Sequence, residues 1–327
     1  MQVSDYEAAA NATEDQEEVL RNLLEANRLD PQGEREARIR DVRMTEELYG
    51  ERTPANISDE PVELKYEQNM PACSLENITP EIISAAFKAT GMLYIPGAVD
   101  NEDVERMRNA IEAAHNSMEE KDESQWHNPP RLPTKDSALK LAAARRWANQ
   151  VGGSLAVDSP RAMYQILDML ERHGIQKIAQ DYLGERPVMS AAKFMLWRVP
   201  GDGPSAGWHQ DGRFLGDDLA SLNVWTALTD CGPEVAPGMD LVPEYLDHYI
   251  MPAEDSAFDW SVSDSQVESL NLPVITPQFK AGDMLMFDNW LLHRTCRRPG
   301  MTVTRYAIES WFFAPSKFPI GRTALLA

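Results

Sequence analysis

The chain has 327 residues, of which 31 are basic and 52 acidic, for a formal net charge of −21. That balance opposes nucleic-acid binding, which needs a cationic stripe to displace counterions, and the lack of any eighteen-residue apolar run argues against a helical membrane span. No basic-then-apolar N-terminus marks a secretory signal, and three scattered cysteines, Cys73, Cys231 and Cys296, argue against a disulfide framework or a thiolate zinc site.

An acidic, cytoplasmic globular protein is therefore expected, with its charge unevenly spread. Residues 1–70 hold 18 acidic and 8 basic side chains. Within them Val19, Leu20, Leu23, Leu24 and Leu29 fall near helical spacing, and Ile39, Val42 and Leu48 suggest a second helix. Such apolar stripes favour docked helices over a disordered tail. Pro54 to Pro71 reads as linker, so residues 1–74 are expected to form an acidic helical extension ahead of a domain at 75–327. In that domain Thr79-Pro80-Glu81 opens a helix with Pro in its first turn. Gly91 to Gly97 reads as a short strand ended by a Pro-Gly turn, and Asn101 to Met118, 136–149 and 160–181 read as helices. Beyond Val188 strands prevail, at 188–199, 222–230, 239–243, 272–279, 283–293 and 302–314. Helices first and strands later predict a mainly β barrel or sandwich with helices packed on one outer face. The interval 244–271 is too long for a hairpin loop and carries Tyr245, Tyr249, Phe258 and Trp260, which suggests a lid over a substrate.

The chemistry lies among the strands. Gly207-Trp208-His209-Gln210-Asp211-Gly212 sets an imidazole and a carboxylate two residues apart, on one face of a strand. His293 is the best third ligand, at the end of the run that starts with Met284-Leu285-Met286-Phe287. Two imidazoles and one carboxylate leave half of an octahedron open, the arrangement of non-haem Fe(II) oxygenases. His-x-Asp alone is weak evidence, but twelve residues after His293 comes Arg305, a lone cation in an apolar strand. If it points inward it needs an anionic partner, and its planar fork matches a small dicarboxylate.

At these positions the chain resembles the phytanoyl-CoA dioxygenase family of Fe(II)/2-oxoglutarate-dependent oxygenases. The resemblance rests on Trp208-His209-Gln210-Asp211, Asn223 to Leu228, Gly282 to Phe287, His293 and Arg305. Upstream it extends to Thr90-Gly91-Met92-Leu93-Tyr94-Ile95-Pro96-Gly97 with Val104, Met107 and Ile111. It implies a double-stranded β-helix of the jelly-roll or cupin type. It also implies Fe(2+) on His209, Asp211 and His293, with 2-oxoglutarate and O2 as co-substrates. Arg305 would hold the distal carboxylate of 2-oxoglutarate, with Thr295, Trp225 and Gln210 near it. Halogenating relatives carry Gly or Ala where Asp211 stands, which favours hydroxylation here, and the net charge suits an acyl-CoA poorly.

The function expected is hydroxylation of an unactivated C–H of a small molecule, a natural product or amino-acid-like metabolite, as 2-oxoglutarate becomes succinate and CO2. Desaturation, epoxidation or rearrangement is the alternative within the class, and a non-catalytic metal-binding interaction module the one outside it. No protein acid or base is expected beyond the metal site. His115, His127, His173 and His248 read as packing or surface residues. The basic group Arg131, Lys135, Lys140, Arg145 and Arg146 reads as a solvated helix face, with a substrate-carboxylate anchor as its rival reading. No nucleic-acid or membrane partner is expected, and self-association through the N-terminal helices is an expectation.

Overall fold

The computed structural model describes residues 1–45, 61–132, 134–203, 207–216, 218–254, 256, 260–319 and 321–327. Its elements begin with helices α1 (Val3–Ala12), α2 (Gln16–Leu29) and α3 (Gly33–Arg43), then strands β1 (Lys65–Glu67) and β2 (Met70–Ala72). Next come α4 (Pro80–Thr90), β3 (Met92–Ile95), α5 (Asn101–Glu120), α6 (Lys135–Gln150), β4 (Gly153–Leu155), α7 (Pro160–Arg172) and α8 (Ile175–Leu183). The second half holds β5 (Val188–Val199), β6 (Trp208–His209), α9 (Gly212–Leu215), β7 (Ser221–Ala227), β8 (Met239–Leu241), β9 (Ser261–Val262) and α10 (Asp264–Ser269). It closes with β10 (Met284–Phe287), β11 (His293–Thr295), β12 (Arg305–Phe313) and β13 (Ala324–Leu326).

The strands form two sheets of a double-stranded β-helix. The larger runs β1-β2-β3-β10-β7-β12-β5-β13, with β4 also on β5; the smaller runs β8-β11-β6-β9. The central strands of the larger sheet, β10, β7 and β12, are buried and largely apolar, as strands covered on both sides must be. Met284–Phe287, Leu222, Val224 and Trp311–Phe313 are all buried. The helices supply the outer cover, α5 and α6 on β5 and α4 on β3.

The N-terminal helices are docked. Asp15 caps α2 by accepting hydrogen bonds from the backbone of Glu17 and Glu18 at 3.0 and 3.3 Å. Val19, Leu20 and Leu23 then pack with Ile39, Val42 and Leu326, each such buried side chain contributing about 1.5–3 kcal/mol. Buried Glu36 of α3 accepts a charge-assisted hydrogen bond from Arg161 of α7 at 2.5 Å, and Arg43 donates to the Leu326 carbonyl at 3.1 Å. Leu29 is 58% exposed and stands outside the stripe, while Leu48 lies outside the described residues.

Three sequence expectations need correction. The stretch read as linker contains the β1–β2 hairpin, whose two turn residues, Gln68 and Asn69, take positive φ of 49° and 65°, as a tight hairpin turn demands. The helix read over 160–181 is two helices, parted at Gly174, whose φ of 73° stops α7. Residues 272–279 form no strand, only single bridges at Ile275 and Phe279. Part of the 244–271 interval is itself sheet, since β9 pairs with β6. No described helix is long and apolar enough to cross a membrane.

Candidate metal centre

His209 and His293 are directly opposed cross-strand partners in the β6–β11 pair, so their side chains leave the smaller sheet on one face. Their ring centroids are 4.3 Å apart. Asp211 arrives differently from the strand alternation expected of it. The β6 strand ends at His209, and Asp211 has already turned into the helical region, with φ −62° and ψ −28°, as the cap of α9. A turn, rather than the two-residue period of a strand, brings the carboxylate round to the imidazoles. Gly212 makes that turn compatible with its surroundings: a Cβ there would lie 1.9 Å from the Tyr249 hydroxyl.

The three side chains converge without bonding one another. His209 Nε2 stands 4.0 Å from Asp211 Oδ1, and His293 Nε2 stands 3.9 Å from Asp211 Oδ2, beyond hydrogen-bond length. Each ring is oriented from behind, with Nδ1 2.9 Å from the Gly207 carbonyl in His209 and 3.0 Å from the Leu291 carbonyl in His293. A carbonyl accepts only from N–H, so Nδ1 carries the proton and Nε2 keeps its lone pair facing the carboxylate. Burial, then the neighbouring His293, pushes the His209 pKa down to about 3, which keeps that ring neutral. Asp211 is pulled up by burial, but Lys193 and then the two imidazoles outweigh this and hold its pKa below the usual carboxylate range. Its Oδ2 is buried with no hydrogen-bond partner among the described residues. An anionic oxygen and two imidazole lone pairs aimed at one point fit a divalent cation.

Two buried charges behind the cluster were missed in the sequence. Lys193 of β5 lies 3.1 Å from Asp211 Oδ1 and 3.2 Å from Glu309 Oε1, and Glu309 also accepts from the Trp197 and Trp311 indoles at 3.0 and 2.8 Å. A lone lysine in the apolar run 188–199 and a lone glutamate in Arg305–Phe313 were the available signals.

Arg305 is 3% exposed and points inward. Its Nη1 donates to the Pro237 and Gly238 carbonyls at 3.3 and 3.2 Å, its Nε has no partner, and it makes no ion pair among the described residues. Burial pushes its pKa down. The guanidinium lies 5.8 Å from the Trp225 ring centroid, and a cavity of about 50 Å³ between it and the imidazoles is lined also by Thr295, Lys193 and Trp197. Gln210 is used elsewhere. Its Nε2 donates to the His248 and Trp290 carbonyls at 3.1 and 2.9 Å, and its Oε1 accepts from Ile250 N–H at 2.8 Å, tying the start of the 244–271 interval to the loop before His293.

The aromatic residues of that interval separate. Trp260 stands edge-on to His209, 5.6 Å between centroids. Tyr249 instead stacks on Trp290 at 4.0 Å and its hydroxyl accepts from Asn289 at 2.7 Å. Tyr245 is 44% exposed, beside Trp290 and Asp288, and Phe258 lies outside the described residues.

A double-stranded β-helix with this inner cluster is the framework of the 2-oxoglutarate-dependent, non-haem iron oxygenases. The family model for phytanoyl-CoA dioxygenase matches residues 87–298, so the chain belongs to that family, whose members use Fe(II) and 2-oxoglutarate. Among solved structures it is similar to EctD from S. alaskensis, determined with 2-oxoglutarate and 5-hydroxyectoine, with 16% identity over 83% of this chain and 88% of that one and a TM-score of 0.52. It is also similar to SnoK, a non-haem carbocyclase of nogalamycin biosynthesis, with 18% identity over 74% and 86% of the two chains and a TM-score of 0.49. A comparison with curated proteins gives no match.

Proposed function

We propose that this enzyme hydroxylates an unactivated C–H of a small molecule, a natural product or amino-acid-like metabolite, in the cytoplasm. His209, Asp211 and His293 would hold Fe(II). The observation that carries this is Asp211, whose Oδ2 is buried with no hydrogen-bond partner among the described residues, facing two imidazoles whose tautomers are set by backbone carbonyls. The iron, when bound, supplies the activation of O2 that is coupled to conversion of 2-oxoglutarate to succinate and CO2.

The chain's own residues bind, orient and exclude water. Arg305 would take the distal carboxylate of 2-oxoglutarate with its unused donors, helped by Thr295 and bounded by Trp225. Lys193 sits between Asp211 and Glu309 and offsets one of their two negative charges, which lowers the cost of keeping water from the pocket. Trp260 is the member of the 244–271 interval that we assign to the substrate. Tyr249 and Gln210 brace the segment that carries it, and Tyr245 lies further out. The N-terminal helices α1–α3 are read as an extension docked on the catalytic domain of 75–327, whose larger sheet the β1–β2 hairpin joins.

Uncoupled turnover tests the activity. The iron-loaded enzyme should convert 2-oxoglutarate to succinate slowly without substrate and faster with one, whose product gains one oxygen. A product lighter by two hydrogens would replace hydroxylation by desaturation, and no succinate at all would reduce the chain to a metal-binding module.

A further inference from the structure

Cations gather at one cavity of this acidic protein. A space of about 500 Å³ adjoins the small cavity beside Arg305, and both are lined by Trp147 and Lys193. Its aromatic wall continues with Phe214 and Trp260, whose ring centroids lie 6.3 and 5.6 Å from that of His209. Its charged groups are Lys140, Lys193 and Arg322, and no carboxylate lines it among the described residues. With a net charge of −21, this reverses the average character of the chain.

The three cations differ in how far they are already neutralised. Lys193 is held between Asp211 and Glu309. Lys140 pairs with Asp136 at 2.8 Å one helical turn away, with the two side chains 45% and 75% exposed, a weak pairing that a ligand can share. Arg322 donates to the Phe214 carbonyl at 3.0 Å and makes no ion pair among the described residues. Burial pushes its pKa down, since a desolvated guanidinium without an anion is disfavoured. The two outer cations are adjacent, because Lys140 Nζ lies against Gly321, 2.5 Å from where a Cβ would stand. One guanidinium without a carboxylate and one shared ammonium suit one or two negative charges rather than a polyphosphate.

We propose that Arg322, assisted by Lys140, binds a carboxylate of the substrate, whose apolar body lies along Trp147, Phe214 and Trp260. This rests on the function proposed above and narrows its substrate to a carboxylate-bearing small molecule. The arginine is a binding and specificity residue, separate from the Arg305 pocket for 2-oxoglutarate.

The test uses iron-loaded enzyme, kept anaerobic and saturated with 2-oxoglutarate, whose own binding is measured first. Calorimetric titration then compares 3-phenylpropanoate, 3-phenylpropanamide and phenyl phosphate. The carboxylate should bind at least about tenfold more tightly than its amide. Arg322→Gln should reduce that preference to under about twofold while leaving 2-oxoglutarate affinity unchanged, and Arg322→Lys, which keeps the charge and guards against a folding artefact, should retain part of it. Equal affinity for acid and amide overturns the proposal, as does a preference that survives Arg322→Gln, tighter binding of phenyl phosphate, or no saturable binding of any probe. Failure of 2-oxoglutarate to bind overturns the underlying function as well, and the first measurement separates the two.

Discussion

Among the described residues, two clusters gather histidine and carboxylate closely enough to share one ion. One is His209, Asp211 and His293 between the sheets; the other is Asp100, Asp103 and His173, where the start of α5 meets the end of α7. Their composition is nearly the same and their electrostatics are opposite. In the second, Asp103 takes hydrogen bonds from Arg106 at 2.7 Å and Arg172 at 2.8 Å, and lies 2.8 Å from His173 Nε2. Its Oδ1 already has two guanidiniums and its Oδ2 an imidazole nitrogen within hydrogen-bond distance. In the first, Asp211 Oδ2 has no hydrogen-bond partner among the described residues, and the His209 and His293 Nε2 atoms stand 4.0 and 3.9 Å from Oδ1 and Oδ2 respectively. Ligand-type residues at ligand distance therefore do not define a metal site; lone pairs left without protein partners do.

The comparison breaks most sharply under substitution. His293→Ala or Asp211→Asn should lower iron affinity by more than about 100-fold, since even groups behind a ligand cost 10–100-fold. Asp103→Asn should leave the bound iron per chain unchanged. Elemental analysis after dialysis measures both, and iron lost from the Asp103 variant would mean that the outer cluster binds metal too.

A second break concerns Lys193, the cation that partly neutralises the inner cluster. Lys193→Met leaves Glu309 and Asp211 buried together without a counter-charge, and removing one member of a buried ion pair costs about 3–5 kcal/mol. Urea unfolding of the iron-free protein should show that loss, and Lys193→Met with Glu309→Gln should recover much of it. If the double variant is no more stable than the single one, the destabilisation comes from the lost packing of Lys193 among Phe214, Trp147 and Trp311.

These two predictions also mark what the sequence could reveal. His209 and Asp211 are legible because they are neighbours in the chain and flanked by a motif, and Arg305 because a cation in an apolar strand demands an explanation. The bounds of β5 were readable since apolar residues dominate 188–199 despite Ser190, Lys193 and Arg198. The path that Asp211 takes was not, because a two-residue strand such as β6 has no period to read and the turn after it is decided by β11 and Tyr249. Lys193 and Glu309 were passed over for a related reason. Each is a charge inside a largely apolar strand, and the contact between them spans more than a hundred residues, across strands brought alongside only by the fold. Arg322 has no strand pattern around it, and only the folded chain sets it beside Lys140.

Arg305 sharpens the comparison on the side of the co-substrate. Arg305→Lys keeps the charge but loses the fork that matches a carboxylate, so 2-oxoglutarate affinity should fall about tenfold while iron binding stays near wild type. Calorimetry on the iron-loaded, anaerobic protein separates the two quantities. An unchanged affinity would assign Arg305 to the backbone carbonyls of Pro237 and Gly238 alone.

The smallest effect belongs to the outer cluster and appears in acid. Burial pulls the Asp103 pKa up, but the hydrogen bonds from Arg172 and His173 outweigh it and hold the group at about 2, below the value near 3.9 of an unfolded aspartate. Between those values the unfolded chain binds a proton that the folded one does not, so lowering the pH favours unfolding. The contribution of Asp103 is therefore fully present above about pH 4 and is lost as the pH falls toward 2. Wild type and Asp103→Asn, compared by urea midpoints from pH 5 downward, should differ most at the upper end and converge at the lower. A difference that stays constant across that range would show that Asp103 acts through the geometry of its contacts with Arg106, Arg172 and His173, and not through its charge.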